Sequence, residues 1–120
     1  MFYCNSEVNS FKIMREEIFG PVVAIAKFSS EDEVIQQANN TTYGLAAACH
    51  TKDYECAIRV TNALRAGTTW VNMYNFVHWS VPFGGYKESG IGRECGEAVL
   101  ENYTQTKAVF FNMGVPCPKM

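Results

Sequence analysis

The chain has 120 residues, of which 48% are hydrophobic and 13% aromatic, so its length and composition predict one globular domain with its own core. Ten lysine and arginine residues stand against twelve aspartate and glutamate residues, which gives a net charge of −2. That balance excludes nucleic-acid binding through phosphate neutralisation. No apolar run approaches the ~20 residues of a membrane span, and the polar start Asn5-Ser6-Glu7 is unlike a signal peptide. We therefore expect a soluble cytoplasmic protein that binds neither nucleic acid nor membrane.

The cysteine pattern favours reduced thiols. Five cysteines are an odd number, no two of them form a C-x-x-C pair, and the two histidines, His50 and His78, lie far apart. A secreted disulfide scaffold would pair its cysteines, and a zinc site would need closer ligand spacing. The sequence predicts no metal site and a cytosol-like compartment for these thiols, which are Cys4, Cys49, Cys56, Cys95 and Cys117.

The first elements in the chain read as a strand followed by a helix. The apolar, β-branched run 22–28 lies between Gly20-Pro21 and a pair of serines, which predicts a buried strand. Ser30 precedes Glu33 by three residues, the spacing of a capping box, so a helix should begin there and end near Asn39-Asn40.

The middle of the chain repeats the alternation. Residues 45–49 read as a second buried strand, Asp53 as the N-cap of a second helix, Gly67 as the end of that helix, and residues 68–72 as a third strand. From Met73 to Gly92 no period is visible, and an irregular stretch of that length in a compact domain is usually functional.

The last elements should be a helix over 93–103 and a strand over 107–111. The resulting order, β-α-β-α-β-loop-α-β, predicts an α/β layer fold whose early strands are parallel, in one domain over residues 1–120.

Four sequence blocks, taken together, resemble the aldehyde dehydrogenase superfamily in order and spacing. The resemblance covers about residues 11–112, and the matching blocks are Arg15–Val22, Tyr43–Ala47, Ala66–Asn72 and Pro82–Glu94. It implies a partial aldehyde dehydrogenase catalytic-domain layer that oligomerisation would complete.

The resemblance reaches only the C-terminal part of the family's chain. In the family, a cysteine attacks the aldehyde, a glutamate acts as general base and a preceding domain binds NAD(P), and the blocks that carry these functions have no counterpart here. A thiolate and a nicotinamide held against it are both needed for aldehyde oxidation. We therefore expect a truncated aldehyde dehydrogenase-like domain that holds no cofactor and does not oxidise aldehydes alone.

Part of the family's active-site wall is matched residue by residue. The resemblance implies that Glu17 corresponds to the glutamate that binds the nicotinamide ribose and Phe19 to the aromatic residue beside it. In the same way Phe83 corresponds to an aromatic residue of the substrate tunnel, and Asn75 and Val77 to positions at the tunnel mouth.

Two titratable side chains are the candidate proton carriers of this chain. His78 is the general acid or base that a near-neutral pKa suggests, or a surface histidine with no catalytic role. Glu17 is a relic of a lost ribose site, or a carboxylate reused for proton transfer. Trp79 lines an apolar pocket with Phe19 and Phe83, or anchors the loop on the core.

Two functions from different classes follow. The first is a repurposed homo-oligomer that binds a small, largely apolar molecule and transforms it by redox-neutral isomerisation, cyclisation or elimination. The second is a non-catalytic remnant, a fragment of a longer NAD(P)-dependent aldehyde dehydrogenase, or a binding protein. In the first, the predicted subunit contact is the last strand, through Ala108, Val109, Phe110 and Phe111.

Overall fold

The structure, a computed structural model, describes residues 2–3, 12–116 and 118. Two α-helices, short strands and two 3₁₀ turns (Lys12–Met14 and Glu97–Asn102) form the described chain. In chain order the strands and helices are β1 (Phe2–Tyr3), β2 (Ala24–Ile25), α1 (Glu31–Asn39), β3 (Tyr43–Gly44), β4 (Ala46–Cys49), α2 (Tyr54–Ala63), β5 (Thr68–Val71) and β6 (Tyr86–Lys87).

Both helices begin where the sequence predicts. The Ser30 hydroxyl accepts a hydrogen bond from the Glu33 amide at 3.2 Å, and the Glu33 carboxylate accepts one from the Ser29 amide at 2.8 Å. Asp53 caps α2 by accepting from the amides of Glu55 and Cys56 at 2.9 and 3.3 Å. These side chains satisfy amides that the first turn of a helix leaves without partners.

The expected parallel α/β arrangement is confirmed around β4 and β5. These strands pair in parallel, with Ala46 opposite Thr68 and Cys49 opposite Val71, and α2 connects them. Among the described residues β1 pairs with β2 in parallel and β3 with β6 in antiparallel fashion, so the strands form three separate pairs.

Four local predictions differ from the structure. The first strand is only two residues long, α2 ends at Ala63 rather than at Gly67, and the third helix is a 3₁₀ helix over Glu97–Asn102. Residues 107–111, the predicted last strand and oligomer contact, have no regular secondary structure and are exposed. A strand needs a partner for its backbone groups, and no strand of the described chain pairs with this segment.

The core expected from the composition is not formed within the described residues. Ala57 and Trp70, which are 6% and 7% exposed, are the two apolar side chains that are buried there. The Cα radius of gyration is 21.5 Å, whereas about 14 Å is typical of a compact domain of this length. No helix in this part of the chain has the length and apolar character that crossing a membrane requires.

Gly67, just before β5, allows the long loop to pack against the β4–β5 pair. A Cβ placed on Gly67 would lie 1.7 Å from the carbonyl oxygen of Gly84, so the two backbones meet at a distance that no side chain permits. The glycine that the sequence assigned to a helix end therefore serves this backbone approach.

We predict that Gly67→Ala destabilises the chain by about 3 kcal/mol or more, because the new methyl group must displace the backbone at Gly84. Gly20→Ala is the matched control, since nothing lies within 4 Å of a Cβ there. Urea denaturation followed by circular dichroism measures both variants. Equal midpoints for the two would contradict this description of the contact.

Candidate functional site

The loop 74–83 begins at an anchor on β5. The indole Nε1 of Trp70 donates to the carbonyl oxygen of Phe76 at 2.9 Å, and the ring of Tyr74 meets the Trp70 ring edge-on, with centroids 5.2 Å apart. Asn75, which lies between Tyr74 and Phe76 in the sequence, has a left-handed backbone conformation at φ 60°. Asn tolerates this conformation better than most residues. The buried Trp70 thus fixes the start of the loop.

Within this loop His78 is held by its neighbour Ser80. The Ser80 amide and hydroxyl lie 3.3 and 2.7 Å from His78 Nδ1. Since the amide can only donate, Nδ1 is the acceptor, and a neutral ring carries its proton on Nε2. The ring stacks on Phe76 at a centroid distance of 6.5 Å and lies tilted against Trp79 at 5.3 Å. His78 is therefore an oriented, exposed imidazole with Nε2 unengaged by these contacts.

The segment from Phe83 to Glu94 closes on itself. Phe83 and Glu94 exchange two backbone hydrogen bonds of 2.7 Å. Arg93 donates from Nη1 to the carbonyls of Gly85 and Gly92 at 3.0 and 2.6 Å. Its guanidinium also lies 5.3 Å from the centre of the Tyr86 ring, which adds a cation–π contact. These bonds give Phe83 a fixed, half-buried position.

Lys87 and Ser89 attach the same segment to the end of α1 and to β3. The Lys87 ammonium donates to the carbonyls of Asn39 and Thr41 at 2.9 and 3.0 Å, where the negative end of the helix dipole favours a cation. Lys87 reaches them from a left-handed backbone, at φ 52°. The Ser89 hydroxyl accepts from the Gly44 amide at 2.9 Å. Sequence reasoning missed these roles, although the polar residues between the glycines of the Pro82–Glu94 block were a usable signal.

Glu17 and Phe83 line two grooves that share part of their border. Glu17 lines an open groove with residues of β3 and with Ser89, and Phe83 lines a neighbouring groove; Leu45 and Ser89 border both. Phe19 is 94% exposed and Trp79 is 78% exposed, so the predicted pocket of Phe19, Trp79 and Phe83 is not enclosed by this chain. Asn75 and Val77 are exposed on the same loop as His78.

A third groove, of about 540 Å³, lies between α1, α2 and β4. At its mouth Arg59 donates two 3.0 Å hydrogen bonds to the Glu31 carboxylate and ties the two helices together. The Arg59 guanidinium lowers the pKa of Glu31. Desolvation raises the pKa of the Cys56 thiol, and a hydrogen bond to Glu31 is the second cause that raises it. Residues 12–116 contain no cluster of three or more potential metal ligands, and Cys49, Cys56 and Cys95 are free.

The pattern of the aldehyde dehydrogenase family matches residues 6–109. An aldehyde dehydrogenase from Alternaria alternata is 65% identical over 103 residues, which are 86% of this chain and 21% of that protein. One from Aspergillus niger is 60% identical over 106 residues, which are 88% and 21% of the two chains. The chain therefore spans about a fifth of the length of these curated relatives.

Solved structures show the same relationship. An apo betaine aldehyde dehydrogenase variant from Staphylococcus aureus superimposes with a TM-score of 0.85 at 43% identity, over 94% of this chain and 22% of that one. The NAD⁺ complex of an aldehyde dehydrogenase from Bacillus cereus gives 0.85 at 47% identity, over 92% and 22%. At these identities the similarity covers sequence as well as fold.

The ion pair between α1 and α2 should make stability depend on pH. Because the pKa of Glu31 is lower in the folded chain than its ordinary value, the pair stabilises the fold above that ordinary value, and the contribution is lost as pH falls through the lowered one. We expect Glu31→Gln to lower the urea midpoint at pH 7 and to have little effect in strong acid.

Asp32→Asn is the matched control for this measurement. It changes an exposed carboxylate in the same helical turn, and we expect little change in its midpoint at either pH. A Glu31→Gln effect that is equally large in strong acid would show that the ion pair is not its source.

Proposed function

The chain belongs to the aldehyde dehydrogenase family, and from this membership we propose that it forms part of the active-site wall of an NAD-dependent aldehyde dehydrogenase. In this proposal the reacting cysteine, the general base and most of the cofactor site come from the rest of the enzyme. The observation that carries it is the open surface: the candidate site residues lie in exposed loops and grooves of a chain that matches about a fifth of its relatives' length.

The exposed apolar surface supports an assembled rather than an isolated working state. Many of the large apolar side chains between Ile18 and Val115 are more than a third exposed, including Ile91, Phe110 and Phe111. Leaving apolar surface in water costs about 25 cal/mol per Å², and apolar patches of this extent normally mark contact surfaces. The same argument supports the proposal that copies associate through Ala108, Val109, Phe110 and Phe111.

NAD⁺ fits this chain only at one end. The exposed carboxylate of Glu17 can accept hydrogen bonds from ribose hydroxyls, and the exposed ring of Phe19, two residues later in the chain, offers a flat apolar face. Gly84 packs against backbone of its own segment, because a Cβ there would lie 2.7 Å from the carbonyl oxygen of Gly92. When bound, NAD⁺ supplies the hydride acceptor.

The work of this chain's own residues is then to bind and orient. Glu17 would hold the ribose, while Phe83 and the exposed loop residues Asn75 and Val77 would border the aldehyde's path and exclude water. Trp70 positions that loop through its bond to Phe76. Such positioning lowers the barrier by fixing the reacting groups in a productive geometry. The free thiols of Cys49, Cys56 and Cys95 support our proposal of a cytoplasmic location.

A chimera tests the proposal. This chain replaces the matching fifth of the Alternaria alternata aldehyde dehydrogenase, and NAD⁺-dependent oxidation of an aliphatic aldehyde is followed by NADH absorbance. We expect an active chimera in which Glu17→Gln raises the KM for NAD⁺ by about tenfold, because a hydrogen bond to a charged acceptor is weakened.

Glu16→Gln is the control in that chimera. Glu16 is an exposed carboxylate that borders the same groove, but its charge is already paired with Lys12 at 3.4 Å, so its loss should raise the KM by less than the loss of Glu17 does. A folded but inactive chimera would contradict the proposed function. Equal effects of the two variants would contradict the role of Glu17.

Redox-neutral chemistry at His78 is the second candidate function. Its supporting observation is the imidazole oriented by Ser80, with the Nε2 edge left for proton transfer. Phenylacetaldehyde is a suitable probe, since it is small and apolar and carries protons next to its carbonyl. If the 120-residue chain catalyses their exchange with deuterium oxide, His78→Ala should slow that exchange by about two to four orders of magnitude.

His78→Asn serves as the partner variant, because its amide can still bond to Ser80 but cannot titrate near neutral pH. It should be as slow as His78→Ala. Full activity in either variant would remove His78 from the catalytic role.

A further inference from the structure

Asn72 joins the end of β5 to the turn that follows β4. Its Oδ1 accepts a hydrogen bond from the Thr51 amide at 2.9 Å, and its Nδ2 donates one to the Thr51 carbonyl oxygen at 2.8 Å. The Asn72 amide also donates to the carbonyl oxygen of Cys49 at 2.9 Å. Asn72 therefore continues the β4–β5 ladder with its backbone and binds both backbone polar groups of Thr51 with its side chain.

The chain changes direction at Asn72. Its backbone has a left-handed conformation, at φ 55°, which ends the extended course of β5. Asparagine tolerates this conformation better than most residues, and its carboxamide can donate and accept at the same time. Tyr74 lies two residues later with its ring already against Trp70. The turn at Asn72 thus sets the direction in which the 74–83 loop leaves the sheet.

The turn to which Asn72 bonds is itself held in place. The Thr51 hydroxyl accepts a hydrogen bond from the Asp53 amide at 3.0 Å, and Asp53 is the residue that caps α2. Beyond Asn72, the bond from Trp70 to the carbonyl oxygen of Phe76 is the next attachment of the loop. Only three residues separate Asn72 from Phe76, so the start of the loop is fixed at two closely spaced points.

We propose that Asn72 is a positioning residue for the aldehyde side of the active site, an inference that rests on the proposed function. In that function Asn75 and Val77 border the aldehyde's path, and both lie within five residues of Asn72. Asn72 acts on them through its bonds to Thr51, which fix where the loop leaves β5. A displaced loop holds the aldehyde less tightly and in a less productive geometry, whereas the ribose contact of Glu17 comes from a separate segment of the chain.

Asn72→Gly in the Alternaria chimera tests this role. Glycine tolerates a φ of 55°, so the variant removes the two side-chain bonds without adding backbone strain. We expect kcat/KM for an aliphatic aldehyde to fall by about tenfold, mainly through a higher KM for the aldehyde. The KM for NAD⁺ should stay unchanged.

Asn39→Gly is the matched control, because Asn39 makes the same pair of bonds at the other end of α2. Its Nδ2 donates to the Ala63 carbonyl oxygen at 2.9 Å, and its Oδ1 accepts from the Arg65 amide at 2.8 Å. This variant should lower the urea midpoint of the 120-residue chain at least as much as Asn72→Gly does. In the chimera it should leave the aldehyde KM unchanged. Equal rises of that KM in the two variants would overturn the positioning role.

Hydrogen exchange in the 120-residue chain measures the placement of the loop without any activity. The indole N–H of Trp70 is bonded to Phe76, so its exchange with deuterium oxide, followed by NMR, reports whether the loop keeps its position. Asn72→Gly should speed this exchange by about tenfold, because the loop opens more often. Asn39→Gly should leave it nearly unchanged.

The possible results separate the inference from the proposed function. An active chimera whose aldehyde KM is unchanged by Asn72→Gly overturns the inference while the proposed function stands. Unchanged exchange at Trp70 in the same variant also overturns it. An inactive chimera, together with faster exchange at Trp70, overturns the proposed function and supports the placement of the loop by Asn72.

Discussion

The parallel pairing of β4 with β5 is the contact on which the other described features depend. Helix α2 connects the two strands and buries Ala57 against them, and Trp70 of β5 holds the start of the 74–83 loop through its indole nitrogen. Gly67, just before β5, lets the glycine-rich segment approach at backbone distance. The start of the 74–83 loop and the approach of the glycine-rich segment therefore depend on the four residue pairs of one short ladder.

That ladder is too small to cover the apolar residues of the chain. Two strands packed under two helices leave an open strand edge, two open grooves beside Glu17 and Phe83, and an exposed apolar segment after Tyr103. Each of these surfaces is the kind that a larger α/β domain buries. The proposed assembly with the rest of an aldehyde dehydrogenase would explain this exposure, since further residues would then cover these side chains.

Local sequence signals predicted the local structure well. The Ser30–Glu33 pair and Asp53 marked the helix starts, and the β-branched and aromatic residues of β5 marked that strand, because capping and strand formation depend on near neighbours. The β3–β6 pairing was not predictable in this way, since it joins Tyr43 to Lys87 across 44 positions of sequence. The predicted strand over 107–111 failed for the same physical reason, as strand formation there requires a partner.

The candidate site was predictable only in part. The spacing placed His78 and Phe83 in one loop, but whether Glu17 and Phe19 face them depends on surfaces that no local pattern encodes. The polar contacts of Lys87, Ser89 and Arg93 were not predicted from the sequence pattern. Each of these side chains bonds to backbone atoms that are distant in sequence or lie across a turn.

The central claim is that this chain supplies one wall of a site and needs the rest of the enzyme to bind the cofactor. Calorimetric titration of NAD⁺ into the 120-residue chain, and separately into the full-length Alternaria chimera, tests it most directly. The account predicts no saturable heat for the chain alone and saturable binding by the chimera. Micromolar binding of NAD⁺ by the 120-residue chain alone would contradict it.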